Sequence, residues 1–219
     1  MQLAPLYPWL YRLLAPSFPH CLWRGPNDRP IIALTFDDGP HPIYTPQLLA
    51  VLDRYCVPAS FIWLGACVRR APHVARAVSD RGHWIGLHGD THRAFIRLNS
   101  VQLRQSLDAT RAAIVAACPQ LNDNQLRDVR PPNSLFLPQT LRLLRAWHYR
   151  PVMWTVVPED WERPGCDRVC QRVLLRACNG AIVVLHDGVC GGQDIAATVS
   201  ALIPALRARG FSFTTLADF

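Results

Sequence analysis

The chain has 219 residues, enough for one domain with a large core, and half of its residues are apolar, which excludes an intrinsically disordered chain. All 23 basic residues are arginine, so chemistry that needs a lysine nucleophile or Schiff base is excluded. The net charge of +7 is compatible with an anionic surface as a partner or with solubility alone, and no dense basic run with interleaved aromatics indicates nucleic acid as a partner.

Residues 1–29 form an apolar segment before the first clear strand. The segment lacks a charged start and Pro5 and Pro8 interrupt it, so it does not have the pattern of a standard signal peptide. The chain also has no uninterrupted apolar run of about 18 residues that would predict a membrane span. Leucines near helical spacing predict a helix over residues 9–14, which we expect to pack on the rest of the domain; contact with a membrane surface is the alternative. These leucines are Leu3, Leu6, Leu10, Leu13 and Leu14.

From residue 30 onward, strand-like and helix-like patterns alternate, which is typical of a parallel sheet, either open or closed into a barrel. Strands are predicted at residues 31–36, 59–64, 83–87, 150–156, 181–186 and 211–215, with a weak one at 126–129. Helices are predicted at residues 45–55, 71–80, 100–117, 138–147, 167–177 and 194–209, with Ser100 and Asp194 as N-caps. There is no internal repeat or low-complexity linker, so residues 30–219 are expected to form one domain.

Two adjacent carboxylates, Asp37 and Asp38, follow the first strand within the run TFDDGP at residues 35–40. A Gly-Pro turn comes next, which places both acids at the mouth of a sheet or barrel, where sites are usually built. Adjacent carboxylates repel each other, and a metal ion would hold both in the charged form, with one acid as a ligand and the other as a base. An ordinary Asp-Gly-Pro turn is the alternative.

Two histidines follow the strand predicted at residues 83–87. His88 and His92 stand four residues apart, a spacing that brings two imidazoles to one side of a helical turn or compact loop and is common in zinc sites. Together with Asp38 they would form a three-ligand set with a position open for water, as in catalytic rather than structural zinc sites. Two surface histidines in a polar loop are the alternative.

Five motifs in this order resemble those of the polysaccharide deacetylases with a NodB homology domain, carbohydrate esterase family 4. They lie at residues 35–42, 82–92, 130–132, 160–161 and 182–187, and the resemblance covers roughly residues 31–219. It implies a single-domain distorted (β/α) barrel of seven or eight mostly parallel strands. It also implies that residues 30–219 are a catalytic domain that removes N-acetyl groups from N-acetylglucosamine-containing polysaccharides, such as chitin oligomers or peptidoglycan. A cell-envelope or extracellular location is compatible with the family, and a cytoplasmic one is not excluded.

The resemblance and the residue types together assign a reaction. Asp38, His88 and His92 are expected to bind one divalent metal, Zn²⁺ or alternatively Co²⁺, which lowers the pKa of a bound water and polarises the amide carbonyl. Asp37 is expected to take the proton of the attacking water, and His186 to protonate the departing amine.

Supporting roles are expected for two charged residues. Arg130 is expected to pair with Asp37 and hold it ionised, although an ordinary surface arginine is the alternative. Asp160 is expected to accept a hydrogen bond from His186, which fixes the tautomer and raises the pKa of that histidine.

Three residues are expected to contact the substrate. A backbone N–H near Asn133 is expected to help bind the oxyanion, and Trp161 and Val184 to line a pocket for the acetyl methyl group. Asn133 stands where the family usually has an aromatic residue, and Gly89 and Val157 depart from the family pattern in the second and fourth motifs. No metal ligand, acid or base is lost, so activity is expected and the choice of substrate is left open.

Other functions remain open at this point. The same chemistry could act on an O-acetyl ester, as in xylan, or on a small amide, because specificity depends on loops and pocket shape. A catalytically silent carbohydrate-binding relative is a further alternative, but such a protein has little need for an acid, a base and an open metal site together.

The eight cysteines are scattered and include no Cys-x-x-Cys pair, so neither a disulfide framework nor a structural zinc cluster is indicated. Cys56, Cys67 and Cys118 lie in apolar surroundings and are expected to be core residues. Cys190 follows the motif that contains His186 and is expected near the site.

Overall fold

The computed structural model describes residues 6–122 and 125–219, so Leu3 and Pro5 of the N-terminal segment lie outside the described residues. The strands are β1 (Ile31–Asp37), β2 (Ser60–Trp63), β3 (Trp84–Leu87), β4 (Asp128–Val129), β5 (Arg150–Pro151), β6 (Ala181–His186) and β7 (Ser212–Thr214). The helices are α1 (Tyr7–Ser17), α2 (Tyr44–Tyr55), α3 (Gly65–Arg70), α4 (Pro72–Asp80), α5 (Ser100–Ala117), α6 (Pro138–Ala146), α7 (Cys166–Arg176) and α8 (Ile195–Arg207).

The strands form one curled parallel sheet with the order β5-β4-β3-β2-β1-β6, and β7 pairs with β1 beside this path. Helices flank the sheet, and the carboxyl ends of the strands share one edge. The predicted fold class, a distorted (β/α) barrel of seven or eight mostly parallel strands, is confirmed, with seven strands within the described residues.

Strand β1 lies between β2 and β6 in the sheet and is buried from Ile32 to Asp37. On one side it pairs with β6 along this whole length, and on the other it pairs first with β7 and then with β2. A nearly continuous apolar strand is what a parallel sheet covered on both faces requires. The register places Asp37 directly opposite His186 of β6.

The chain before β1 fills the gap between β5 and β6. Leu22 donates its N–H to the carbonyl of Pro151, and Met153 donates its N–H to the carbonyl of Leu22, both at 2.8 Å. Farther along, the N–H of Gly25 donates to the carbonyl of Gly180 at 2.8 Å. A segment distant in sequence therefore completes the wall of the half-barrel.

Helix α1 packs on this wall with one face only. Tyr7, Tyr11 and Leu14 contact a buried cluster that includes Trp23 and Trp154. The opposite face exposes apolar side chains, namely Leu6, Trp9, Leu10 and Leu13. Contact of this segment with a membrane surface stays a prediction. No helix of the described residues combines the length and the apolar character needed to cross a membrane.

Several local predictions differ from the structure. The prediction of Ser100 as an N-cap is wrong, because Asn99 occupies that position and shares a capping box with Gln102. Asp194 does stand at the N-cap position of α8, without a side-chain capping bond. Helix α3 was not predicted, and the strand predicted at residues 150–156 is only two residues long. Its continuation leaves the regular sheet and makes single bridges at Val152 and Val156.

The cysteines divide by burial. All eight carry free thiols, and Cys118 is buried while Cys67 is half-buried. The prediction of Cys56 as a core residue is wrong. It occupies the left-handed C-cap of α2, where its side chain is exposed.

Candidate active site

The candidate site lies at the carboxyl edge of the sheet. Asp37 is the last residue of β1 and His186 the last residue of β6. His88 directly follows β3, and Arg130 directly follows β4. Because parallel strands end at a common edge, these four residues come together although they are far apart in sequence. Asp37, His88 and His186 line one cavity of about 300 Å³, and Arg130 contacts Asp37 without lining it.

The predicted metal ligands form a compact group. Asp38, His88 and His92 each offer one ligand atom, and these atoms all lie within 4.8 Å of one another. The Oδ1 atom of Asp38 lies 3.5 Å from Nε2 of His88 and 3.4 Å from Nε2 of His92. This oxygen is buried and accepts no hydrogen bond from any described residue. Two imidazole nitrogens and one unsatisfied carboxylate oxygen fit a divalent cation such as zinc.

Two of these ligands have unusual backbone angles. Asp38 has a φ of 72° and His92 a φ of 52°, both in the left-handed region that non-glycine residues rarely adopt. Such angles cost free energy and concentrate at functional sites. They turn both side chains toward the same point above the strand ends.

The tautomer of His88 is set by its surroundings. Its Nδ1 lies 2.7 Å from the carbonyl oxygen of Arg130. A carbonyl can only accept, so Nδ1 carries the proton and Nε2 presents its lone pair to Asp38. Burial is the main cause that lowers the pKa of His88 to about 3, which keeps the ring neutral. A neutral ring with a fixed N–H partner is the form that binds metal.

Arg130 is fully buried, which excludes the surface alternative left open by the sequence. Its Nη1 donates to Oδ1 of Asp37 at 2.6 Å and to the hydroxyl of Thr35 at 2.9 Å. Its Nη2 donates to the carbonyl of Met153 at 3.0 Å. Asp37 is thus held in one orientation, with its second oxygen, Oδ2, 4.0 Å from Nε2 of His88.

His186 is paired with Asp160 through two contacts. Its Nδ1 lies 2.8 Å from Oδ1 of Asp160, and its backbone N–H donates to Oδ2 at 2.7 Å. Burial lowers the pKa of His186, but the charge and hydrogen bond of Asp160, with smaller effects of Asp38 and Asp37, outweigh burial and raise this pKa to about 10. His186 therefore holds a proton at neutral pH in the absence of a bound cation.

The three residues predicted to contact substrate all line the cavity. The ring of Trp161 meets the ring of His186 edge-on, with the ring centroids 5.1 Å apart, and the side chain of Val184 is buried. Asn133 has a φ of 57°, a conformation that asparagine adopts more readily than an aromatic residue does. Cys190, expected near the site, also lines the cavity.

Two close approaches bring the ends of β1 and β6 together. A Cβ atom on Gly39 would lie 2.4 Å from the carboxylate of Asp187, and one on Gly188 would lie 2.6 Å from Cβ of Asp38. Only glycine permits the two strand-end turns to approach this closely. Both glycines therefore help to position Asp38.

Sequence reasoning missed several residues of the site, among them Thr35, Trp154 and Tyr7. Thr35 lies two residues before Asp37, and the alternation of side chains along a strand places both on the same face of β1. This alternation could have indicated Thr35 as a neighbour of Asp37. Trp154 and Tyr7 line the cavity, but nothing local indicates this. Their position depends on how α1 and the chain after β5 pack together.

Comparisons with known proteins give a consistent result. The sequence model of the polysaccharide deacetylase family matches residues 24–152. A chitooligosaccharide deacetylase of Rhizobium leguminosarum bv. trifolii is 40% identical over 204 residues, which cover 88% of this chain and 92% of the relative. A peptidoglycan-N-acetylglucosamine deacetylase of Bacillus cereus is 32% identical over 204 residues, covering 90% and 91%. The crystal structure of a peptidoglycan N-acetylglucosamine deacetylase superposes with a TM-score of 0.86 at 25% identity, covering 91% and 94%.

Proposed function

The chain belongs to the polysaccharide deacetylase family, and we propose that it hydrolyses N-acetyl groups of N-acetylglucosamine units in chitin oligomers or peptidoglycan. One observation carries the proposal. A single cavity contains an Asp-His-His group, a separate carboxylate held by a buried arginine, and a histidine paired with its own carboxylate. The names of the relatives supply the substrate class, and this set of side chains supplies the chemistry.

Asp38, His88 and His92 would hold one divalent ion. Zn²⁺ suits two imidazole nitrogens and a carboxylate oxygen, and Co²⁺ is the alternative. When bound, such an ion lowers the pKa of water toward neutrality and polarises a carbonyl group. The carbonyl of Arg130 keeps Nε2 of His88 available for this purpose.

Asp37 acts as the base. Arg130 occupies its Oδ1, so Oδ2 is the oxygen that takes the proton of the attacking water. The guanidinium keeps the carboxylate charged inside a buried site, and its second contact, to Thr35, fixes the angle of the pair.

His186 acts as the acid. Asp160 keeps its ring protonated and orients it through Nδ1, which leaves Nε2 to donate a proton to the departing amine. An amine leaves poorly as an anion, so this proton transfer accompanies cleavage of the C–N bond.

The remaining residues position the acetyl group. Trp161 and Val184 give the cavity an apolar surface next to His186, suited to a methyl group. The backbone N–H of Asn133 is assigned to the developing oxyanion. Free acetate and a glucosamine unit are the products.

Acetate release from N-acetylated chitooligosaccharides tests the proposal, measured with chelated protein and after zinc is added back. We expect release only with zinc. We expect Asp37→Asn to lower kcat by about 10²–10⁴-fold, the usual contribution of a general base, while zinc binding is kept. Asp108→Asn is the matched control, because this carboxylate is exposed on α5 and, within the described part of the chain, forms an ion pair only with Arg104 of its own helix.

The possible outcomes separate the alternatives. A zinc-loaded protein that releases no acetate from chitooligosaccharides but acts on peptidoglycan, an acetyl ester or a small amide would redirect the assignment to that substrate. A protein that binds no zinc would show that the roles given to Asp38, His88 and His92 are wrong.

A further inference from the structure

We propose that helix α1 is part of the substrate-binding site and that Tyr7 is the residue through which it contacts the sugar. The inference rests on the proposed function, because it takes an N-acetylated sugar as the ligand. Its basis is position: Tyr7 lines the same cavity as Asp37 and His186, although it precedes β1 and belongs to none of the strand-end motifs.

An aromatic cluster fixes Tyr7 at the cavity wall. Its ring meets Trp154 edge-on, with centroids 5.3 Å apart and planes at 86°. Trp154 in turn packs edge-on against Trp23 at 5.6 Å, and Tyr11 packs against Trp23 at 6.2 Å. The helix is thus attached at two successive turns, so Tyr7 has a defined place relative to the strand ends.

The aromatic wall has hydrogen-bonding groups that the fold does not use. The indole N–H of Trp154 is buried and has no acceptor among the described residues. The described residues also provide no hydrogen-bond partner for the hydroxyl of Tyr7, whose ring contact with Trp154 is apolar. Burial, aided by Glu159 and Glu162, raises the pKa of Tyr7, so its hydroxyl is a neutral donor at ordinary pH.

A neutral sugar matches this wall. Its C–H faces pack on aromatic rings, and its hydroxyl and carbonyl oxygens accept from a phenol donor such as the hydroxyl of Tyr7. The charged residues of the cavity come from the strand ends, whereas Tyr7 and Trp154 come from α1 and from the chain that follows β5. Tyr7 is accordingly a binding residue, and its effect should fall on KM more than on kcat.

Substitutions on one helix face test the inference. Tyr7→Phe keeps the contact with Trp154 and removes only the hydroxyl, and Tyr7→Ala removes both. Tyr11→Ala is the matched control, because Tyr11 lies one turn later, packs in the same cluster and does not line the cavity. The measurements are kcat and KM on N-acetylated chitooligosaccharides, the thermal midpoint, and calorimetric sugar binding in the Asp37→Asn background.

We expect Tyr7→Phe to raise KM about 3–10-fold, the usual effect of one lost hydrogen bond, and Tyr7→Ala to raise it further, with kcat changed less than KM. Sugar affinity in the Asp37→Asn background should fall in parallel. Tyr11→Ala should lower the thermal midpoint without raising KM.

Equal KM values for the Tyr7→Ala and Tyr11→Ala variants would overturn this inference and leave the proposed function intact. If the wild-type protein bound the sugar without hydrolysing it, and the Tyr7 variants bound it more weakly, the inference would be supported although the proposed function would fail. Absence of sugar binding to the zinc-loaded wild-type protein would overturn both.

Discussion

Replacing Arg130 by methionine tests the electrostatic basis of the site. Arg130 is fully buried, and its guanidinium contacts Asp37, Thr35 and the carbonyl of Met153. Methionine fills similar space but leaves Asp37 buried without a counter-charge. Breaking a buried ion pair by removing one partner costs about 3–5 kcal/mol. For a chain of this size, that corresponds to a fall in the thermal midpoint of about 6–20 °C.

A double-mutant cycle measures the pair itself. The four proteins are the wild type, Arg130→Met, Asp37→Asn and the double variant, and the assay is thermal and denaturant unfolding at pH 7. The double variant leaves neither charge unpaired, so its loss should be smaller than the sum of the single losses by about 1–3 kcal/mol. The control is Arg29→Met, an exposed arginine whose replacement should change stability by no more than about 0.5 kcal/mol.

Two results would refute this reasoning. One is an Arg130→Met variant as stable as Arg29→Met, and the other is additive losses in the cycle. Zinc affinity provides a further check, because the backbone carbonyl of Arg130 that orients His88 is kept in the variant. We therefore expect Arg130→Met to lose activity through Asp37 while it continues to bind zinc.

Three further predictions concern proton, ligand and metal. The pKa of His186 is raised to about 10 in the folded protein, against about 6.5 in the unfolded chain. The protonated ring therefore stabilises the fold fully at pH values below about 6.5, and this stabilisation is lost as the pH rises through about 10. Asp160→Asn removes that support, so the alkaline limb of kcat against pH should move to lower pH; an unmoved limb would contradict the pairing. Gly188→Ala should weaken zinc binding about 10–100-fold, because the added methyl group displaces Asp38. Gly210→Ala is the control: a methyl group there meets no other atom, so this variant should lose stability but keep its zinc affinity, as measured by calorimetric titration. Zinc at a concentration 100 times its Kd should stabilise the protein by about 2.7 kcal/mol, so a thermal midpoint that is unchanged by a chelator would argue against a bound metal.

The alternation of apolar strand-like and amphipathic runs was sufficient to predict a parallel sheet, because each buried strand carries its own signal. Short strands that are defined by their pairing rather than by their composition carry no such signal. β4 and β5 are each two residues long, and the chain after β5 leaves the sheet because Val152 pairs with Leu22. That contact joins two segments far apart in sequence, and neither of them shows it locally.

The residues of the site also differ in how far the sequence predicts their positions. Asp37, Asp38, His88 and His186 end or follow predicted strands, so a shared sheet edge was enough to predict that they meet. Apart from the resemblance of residues 130–132 to a family motif, nothing in the sequence distinguishes Arg130 from the other arginines. Its burial depends on three acceptors that the fold brings to it from elsewhere in the chain.

Asp187 is a third carboxylate beside Asp37 and Asp38. It is fully buried and accepts a hydrogen bond from Thr45 at 2.5 Å. Burial is the main cause that raises its pKa to about 7, and the charges of Asp38 and Asp37 raise it further. Burial, with smaller contributions from the two neighbouring carboxylates, thus makes this third carboxylate difficult to ionise.

The positive charges that are present explain why two adjacent acids take different roles. Arg130 neutralises Asp37 and occupies one of its oxygens. Asp38 turns away from that arginine at its left-handed backbone angle, toward two imidazoles of which His88 is held neutral by burial. Its Oδ1 is buried and has no hydrogen-bond donor among the described residues, and a divalent ion shared with His88 and His92 would supply the missing partner. The proposed base, Asp37, and the proposed metal ligand, Asp38, are consecutive in sequence, but the fold gives them different partners, Arg130 for Asp37 and two imidazoles for Asp38.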